Sequence, residues 1–477
     1  MTMARYFVGI DNGSQSSKVA IFDDDGAIVS EGRANLRPND TPAPGVVEFP
    51  DDDIWDSIIE ACRLALKDFG GSTSQIAGVG LCTIRFCRAM LRADGALAQP
   101  MLSWMDARVG APFVAEHDDI SYVTTSSGYI TARLTGEFRD TAANYQGMWP
   151  IDTANWAWSA DPQAYADTGM AHEQLFELVQ PGETLGHITD AASAATGLPA
   201  GVPVIATAND KAVEALGCGL LEPSTVLVSL GTYIAGMSIG DVEVNDAGTF
   251  WTNFGSEPGR YLYESHGIRR GMWTVSWFRD VLGTEAVDAA TARGLRLEEV
   301  LNHEAMQVPA GSDGLLTVLD WLAPSDAAFR KGSILGFDGR QGRAHMYRSI
   351  LEGIAMTMRT RTGAMADELG AHFERAVVSG GGSMSELMMQ IMADVFEVPT
   401  LRMQGDSAAA RGAAICAAVG TGSYASFADA VHAMVRHRDT FTPNPDNAGI
   451  YRSLRAVHED ATAHTDAIYR RTSGIVG

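Results

Sequence analysis

Asp11-Asn-Gly-Ser-Gln-Ser-Ser-Lys18 packs a carboxylate, a glycine, three hydroxyls and an ammonium into one short stretch. Gly13 would permit a tight turn, and backbone N–H groups with the hydroxyls of Ser14, Ser16 and Ser17 would line an anion site. Lys18 would neutralise a phosphate, and Asp11, at a strand end, would hold Mg²⁺ through water. An ordinary hairpin turn uses the same residue types. Ser229-Leu-Gly231-Thr232 repeats the theme and carries the same ambiguity. Phosphates held between two opposed hairpins need one such turn from each side.

Three further clusters carry chemistry. Ser379-Gly-Gly-Gly-Ser-Met-Ser385 lies between a strand pattern and the helix pattern Glu386–Phe396. Its glycines Gly381 and Gly382, with Ser385, would let a flat ring or a phosphate approach backbone near a helix N-terminus. It is neither a G-x-G-x-x-G nor a Walker A motif. In Ala208-Asn-Asp-Lys-Ala-Val-Glu-Ala-Leu-Gly217, Asp210 ends an apolar strand and opens a helix. Asn209 or Asp210 could simply cap that helix. Ser103-Trp-Met-Asp-Ala-Arg108 offers Trp104, Asp106 and Arg108 to a polyhydroxylated ligand. A surface ion pair beside a half-buried Trp is the plainer alternative.

The elements that must position these groups come in two similar cycles. Tyr6–Ile10 and Val19–Phe22 read as a hairpin, Asp53–Phe69 shows a helical apolar face, and Ile76–Leu81 reads as a strand. A second cycle starts at Val226–Leu230 and Ile234–Ile239, with helices near Trp273–Leu282 and His345–Leu369 and a strand at Val377-Val378. The repeated order predicts two α/β domains, 1–221 and 222–477, with Leu220–Ser224 as the boundary.

A chain of 477 residues is long enough for two cores. Its net charge of −24 opposes binding to nucleic acid or an anionic membrane, but does not exclude a nucleotide held by local N–H groups and a cation. No apolar run reaches transmembrane length and no leader pattern precedes Tyr6, so a cytoplasmic protein is expected. Five widely spaced cysteines fit neither a disulfide framework nor a zinc site, and read as small buried side chains.

Taken in register, these motifs resemble the FGGY family of carbohydrate kinases, from Phe7 to about Gly420. Gly9–Lys18 is similar to the family's first phosphate loop, Trp104-Met-Asp-Ala-Arg108 to its W-x-D-x-R segment, Asp210 to its catalytic aspartate and Ser229–Thr232 to its second phosphate loop. Gly380–Ser385 with Gln390 and Asp394 resembles its adenosine loop. The resemblance implies two ribonuclease-H-like domains of the actin/hexokinase type flanking a cleft. It implies ATP on the second domain, Mg²⁺ near Asp11 and Asp210, and a sugar, ketose or polyol acceptor on the first. It leaves a homodimer open.

Departures fall on the acceptor side. Lys211 follows Asp210 where many members carry Asn or Gln, and the segment from Arg108 to Tyr129 is short. Of the glycerol kinase Asn-Gln-Arg-Glu motif only Arg85 is matched, in Thr83-Ile-Arg-Phe-Cys87. The expected acceptor pocket comprises Arg85, Phe86, Trp104, Asp106, Asp210 and Lys211. Arg85 and Lys211 either add a surplus positive charge suited to an acidic substrate or neutralise Asp106 and Asp210. A glycerol kinase is one alternative, and a non-catalytic nucleotide-dependent binding protein of the same fold is another.

Overall fold

The computed structural model describes residues 5–324, 327–405 and 407–475. β1 (Tyr6–Asn12), β2 (Ser16–Asp23) and β3 (Ile28–Asn35) form an antiparallel meander. α1 (Asp53–Lys67) crosses over to β4 (Ile76–Thr83), which runs parallel to β1. β5 (Thr184–His187) and β6 (Pro203–Ala206) complete the sheet in the order β5-β6-β4-β1-β2-β3. The chain then enters α2 (Asp210–Gly217).

The second half repeats the plan. β7 (Thr225–Leu230), β8 (Ile234–Gly240), β9 (Phe250–Phe254) and β10 (Tyr261–Ser265) are antiparallel neighbours. The long helix α3 (Arg343–Leu369) leads to β11 (Arg375–Ser379), parallel to β7. α4 (Glu386–Phe396), β12 (Thr400–Met403), α5 (Ala408–Gly420), β13 (His437–Phe441) and α6 (Pro445–Ser473) follow. The sheet order is β9-β10-β8-β7-β11-β12-β13. Each sheet therefore has a meander, two parallel strands beyond its first strand and an antiparallel edge; the second adds β9 outside the meander. This is a duplicated ribonuclease-H-like topology.

The halves exchange a helix. α5 belongs to the second half by sequence but packs on β1, β4 and α2 of the first. Its sequence, AAARGAAICAAVG, is built of small residues, and the facing positions are glycines. A Cβ on Gly80 would lie 1.9 Å from the Ala413 carbonyl oxygen, and one on Gly217 would lie 1.8 Å from that of Ala408. Hydrogen in place of a side chain is what lets the backbones touch. One apolar core consequently runs through both halves, from Phe7 and Phe22 through Ala413 and Ala417 to Leu227 and Met237. All five cysteines are buried and unpaired, as expected from their spacing.

Because the obstruction at Gly217 is backbone, it cannot rotate away. Gly217→Ala should destabilise the protein by roughly 1–3 kcal/mol, the range for overpacking. An unchanged thermal midpoint would show that α2 and α5 are not in this contact.

Candidate functional site

The first hairpin sorts its side chains by strand alternation. Asp11 pairs across the ladder with Lys18, and Asn12 with Ser17. Asp11, Ser16 and Lys18 share one face. Lys18 Nζ lies 3.4 Å from Glu31, and Ser16 Oγ accepts from Arg33 Nε at 3.1 Å. Ser17 lies on the opposite face and is buried. Its Oγ accepts from Asn12 Nδ2 at 2.9 Å and is 2.7 Å from Ser57 Oγ on α1. The expected phosphate role of Ser17 is therefore corrected: it ties the hairpin to α1.

Gly13 N donates to Ser16 O at 3.0 Å and closes the turn. Its φ lies outside the left-handed region, and an added Cβ would meet only Ser16 O, at 3.7 Å. The turn does not need glycine for its conformation, as the sequence suggested; what glycine supplies is open space beside an exposed Ser14.

At the start of α2 the capping question resolves. Asn209 Oδ1 accepts from Ala212 N at 3.1 Å, so Asn209 is the cap. Asp210, at the first helical position, does not cap the helix; its Oδ1 accepts from Lys211 N at 3.0 Å. Arg85 Nε stands 3.6 Å from Asp210 Oδ1. Burial raises the Asp210 carboxyl above its ordinary value; Arg85 and Lys211 oppose this, and Glu264 and Glu214 add to it. Asp11 is pushed up to about 7 by burial and by the charges of Asp210 and Glu214, against the pull of Lys18 and Lys211. Among the described residues no hydrogen bond reaches the Asp11 side chain. A buried carboxylate without a donor among the described residues, raised further by a second buried carboxylate beside it, suits a shared divalent cation, so Asp11 with Asp210 fits Mg²⁺.

Glu214, one turn along α2, was not anticipated. Its Oε1 accepts from Ser229 Oγ and from Ser379 Oγ, each at 2.7 Å, and its Oε2 accepts from Lys211 Nζ at 2.8 Å. Burial alone would raise this carboxyl, but Lys211 and the two serines leave it lowered. Glu214 thus joins α2 to the ends of β7 and β11. The sequence signal was its position four residues after Asp210, on one helix face.

Beyond Ser229, the second turn is anchored by a helix start. Gly271 N donates to Thr232 O at 2.8 Å and Met272 N to Gly231 O at 3.2 Å, leaving the Thr232 side chain exposed. Both hairpins reach the same stretch of α2: Asp11 through its charge on Asp210 and Glu214, and Ser229 by hydrogen bond.

The glycine loop divides by role. Gly381 has open space where a Cβ would stand, whereas a Cβ on Gly382 would come 2.8 Å from Leu230 Cβ. Ser385 caps α4, accepting from Met388 N at 3.2 Å and donating to Asn302 Oδ1 at 2.8 Å. The expected ligand roles of Gly382 and Ser385 are corrected to shaping the loop, while Gly381 offers bare backbone.

On the acceptor side two expectations change. Arg85 is bound by Glu264 of β10, with Nη1 and Nη2 donating at 2.8 and 3.0 Å, and Lys211 is bound by Glu214. Their charges are spent on these partners, so they supply no surplus for an acidic substrate. Asp106 is 2% exposed and accepts from Val47 N at 2.8 Å and from Arg108 N, Nε and Nη2 at 2.8, 3.0 and 2.8 Å. It is a structural clasp for its loop, not a substrate ligand.

Phe86 and Trp104 are 37% and 47% exposed. Phe86 holds φ 64, a left-handed conformation costly for a bulky residue and typical of binding sites. With Arg85, Gln146, Trp149, Trp251 and Asn253 it lines a cavity of about 500 Å³ between first-half loops and β9.

A carboxylate at a strand end, two hairpin turns and an aromatic-lined cavity between duplicated halves define a cleft phosphotransferase of the actin/hexokinase type. The N-terminal domain model of the FGGY family of carbohydrate kinases matches residues 6–117 and 114–217, and the C-terminal domain model matches residues 226–421. The chain belongs to this family. It is 45% identical over 469 residues to an uncharacterized sugar kinase of Escherichia coli K12, YgcE, covering 98% of this chain and 95% of that protein. Its fold is similar to xylulose kinase from Rhodospirillum rubrum, with a TM-score of 0.82 at 24% identity over 98% of this chain and 100% of the other. It is also similar to Plasmodium falciparum glycerol kinase with ADP, with a TM-score of 0.80 at 15% identity over 96% and 98%. The chain is a sugar kinase, a phosphotransferase with an alcohol group as acceptor, and it uses ATP. Among the described residues no helix is long and apolar enough to cross a membrane.

The raised Asp11 gives a signed prediction for the metal-free protein. A carboxyl whose folded pKa lies above its unfolded value costs stability in full above the folded pKa, and nothing below the unfolded one. Asp11→Asn should therefore raise the thermal midpoint by a few degrees above pH 7, with the gain fading as pH falls toward 4. A gain that is flat across this range would contradict the burial and charge argument.

Proposed function

We propose that this protein transfers the γ-phosphoryl group of ATP to a hydroxyl of a small sugar, ketose or polyol, with Asp210 as the base. The observation that carries this reading is the placement of Asp210. It is not the helix cap, it stands 3.6 Å from Arg85, which lines the acceptor cavity, and it lies on the helix that both phosphate hairpins reach.

The acceptor hydroxyl gives its proton to an Asp210 carboxylate oxygen as its own oxygen attacks the γ-phosphorus; the bond from that phosphorus to the β,γ-bridging oxygen breaks and ADP leaves. Arg85, fixed by Glu264, keeps a positive charge beside Asp210 and opposes the burial that would otherwise hold its proton. Gly13, Ser14, Ser16 and Lys18 on one side, and Gly231 and Thr232 on the other, hold the phosphates in line. The exposed backbone at Gly381 serves the adenosine end. Asp11 and Asp210 would hold Mg²⁺, which when bound neutralises charge on the terminal phosphates. Phosphoryl transfer asks little covalent chemistry of a protein, so positioning and electrostatics supply most of the acceleration. Arg85 on the first half and Glu264 on the second also draw the cleft walls together, which limits the water that would compete with the acceptor.

The cavity of about 500 Å³ is much larger than a three-carbon polyol needs, which favours longer acceptors over glycerol. The non-catalytic alternative drew on Lys211 and the short segment after Arg108; Lys211 is engaged by Glu214, and Asp210 is not used as the helix cap.

Asp210→Asn should lower kcat by roughly 10²–10⁴, the usual worth of a general base, while binding of an ATP analogue stays normal. In the wild type kcat/KM should fall on the acid side through a pKa above the ordinary carboxylate range, because the base works ionised. Near-normal turnover by Asp210→Asn would remove Asp210 from the mechanism.

A further inference from the structure

The acceptor cavity does not end at Trp149. Phe86, Gln146, Gly147 and Trp149 also line a second cavity of about 280 Å³, which extends to Trp104 and Arg88. Two side chains there each keep one buried polar atom without a partner among the described residues. Arg88 is 2% exposed, yet among the described residues no acidic side chain pairs with it. Its terminal nitrogens donate to the carbonyls of Arg108 at 3.0 Å, Val109 at 3.2 Å and Ala111 at 3.4 and 3.5 Å, but its Nε has no partner among the described residues. Gln146 sits where the two cavities meet, and its buried Oε1 is also without a partner among them.

Burial draws the Arg88 guanidinium down to about 10, and the carboxylate that opposes this is Asp106. Asp106 is already saturated by Arg108 and Val47, so it cannot turn to Arg88. A buried cation without a paired carboxylate and a buried acceptor without a donor are both costly to maintain. A ligand that corrected both would carry a carboxylate that offsets the Arg88 charge and accepts from its Nε. It would carry a hydroxyl to donate to Gln146 Oε1, and a C–H face to lie on Trp104, Trp149 or Phe86.

We propose that the second cavity is the far lobe of the acceptor site, and that the acceptor is a carboxylate-bearing polyol of the aldonate type, with its carboxylate at Arg88 and its reacting hydroxyl at Asp210. This rests on the phosphotransfer reading given above. It stands on Arg88 and Gln146, not on Arg85 or Lys211, whose charges are engaged elsewhere. The two lobes give the acceptor a direction. Gln146 reads the middle of the chain, and the hydroxyl farthest from the carboxylate is the one presented to Asp210. Arg88 is here a specificity-determining residue and takes no part in the transfer.

The test pairs each tetronate, pentonate and hexonate with the alditol of the same carbon skeleton, and measures ADP release by the full chain with ATP and Mg²⁺. The best aldonate should exceed its alditol in kcat/KM by about 100-fold or more, and Arg88→Met should abolish that preference through KM while alditol turnover stays within about threefold. An Arg88 needed only for folding would instead lower the thermal midpoint and leave the aldonate-to-alditol ratio unchanged, which would overturn the proposal. If Arg88→Met does not fold, Gln146→Leu replaces it, with an expected rise of about tenfold in KM for the aldonate. Wild-type turnover of alditols or neutral sugars as good as that of aldonates would also overturn it. Should no acceptor release ADP, the thermal midpoint with each aldonate separates the two claims. A rise that Arg88→Met abolishes supports the lobe and sinks the phosphotransfer reading, and no rise sinks the lobe.

Discussion

A single buried carboxylate, Glu214 on α2, accepts hydroxyl protons from Ser229 and Ser379 at the ends of two strands of the second sheet, and an ammonium proton from Lys211 on its own helix. The proposed base, Asp210, stands one turn earlier on that helix. The base is set in place against the second sheet by the carboxylate that follows it. The lowered pKa of Glu214 keeps this link charged while burial pushes Asp210 and Asp11 the other way. Three neighbouring carboxylates are thus driven apart in acidity by their donors: Glu214 has three, and Asp11 has none among the described residues.

That link needs α2 to sit where the two halves meet, and the glycines put it there. Gly217 ends α2 against the Ala408 carbonyl of α5, while Gly80 on β4 takes the Ala413 carbonyl of the same helix. The crossing helix therefore touches the first sheet and the helix that carries the proposed base. On the other side of the cleft, Arg85 closes the arrangement by pairing with Glu264. The electrostatics of the acceptor side follow from these commitments. Arg85 and Lys211 are consumed in holding the halves and the helix, and among the described residues no carboxylate pairs with Arg88, deeper in the first half.

Features that depend on neighbours in the chain were legible in the sequence. Helix Glu386–Phe396 has the bounds that its apolar period predicts, and the two hairpins and their turns fall where the alternating runs placed them. Asp210 was legible as a residue at a strand-to-helix junction, but whether it or Asn209 capped the helix needed the Ala212 N–H to be located. Ser17 was misjudged although its alternation with Lys18 was available, because composition was weighed before phase. Asp106 was misjudged, and the surplus charge allowed to Arg85 did not hold, for another reason. Val47 and Glu264, which occupy them, lie far away in the chain, and no local pattern reports such a partner. Arg88 gave no signal in the sequence, since an arginine in an apolar run is as readily a surface residue.

The claim that α2 is held to the second sheet through Glu214 is open to a double-mutant cycle. Glu214→Gln and Ser379→Ala, singly and together, would be compared by their unfolding free energies from urea titration at pH 7. Residues that share a buried charge-assisted hydrogen bond should be non-additive by about 1 kcal/mol or more, with the double variant less destabilised than the sum. Additivity within about 0.3 kcal/mol would mean the two side chains do not act on each other, and would contradict the account.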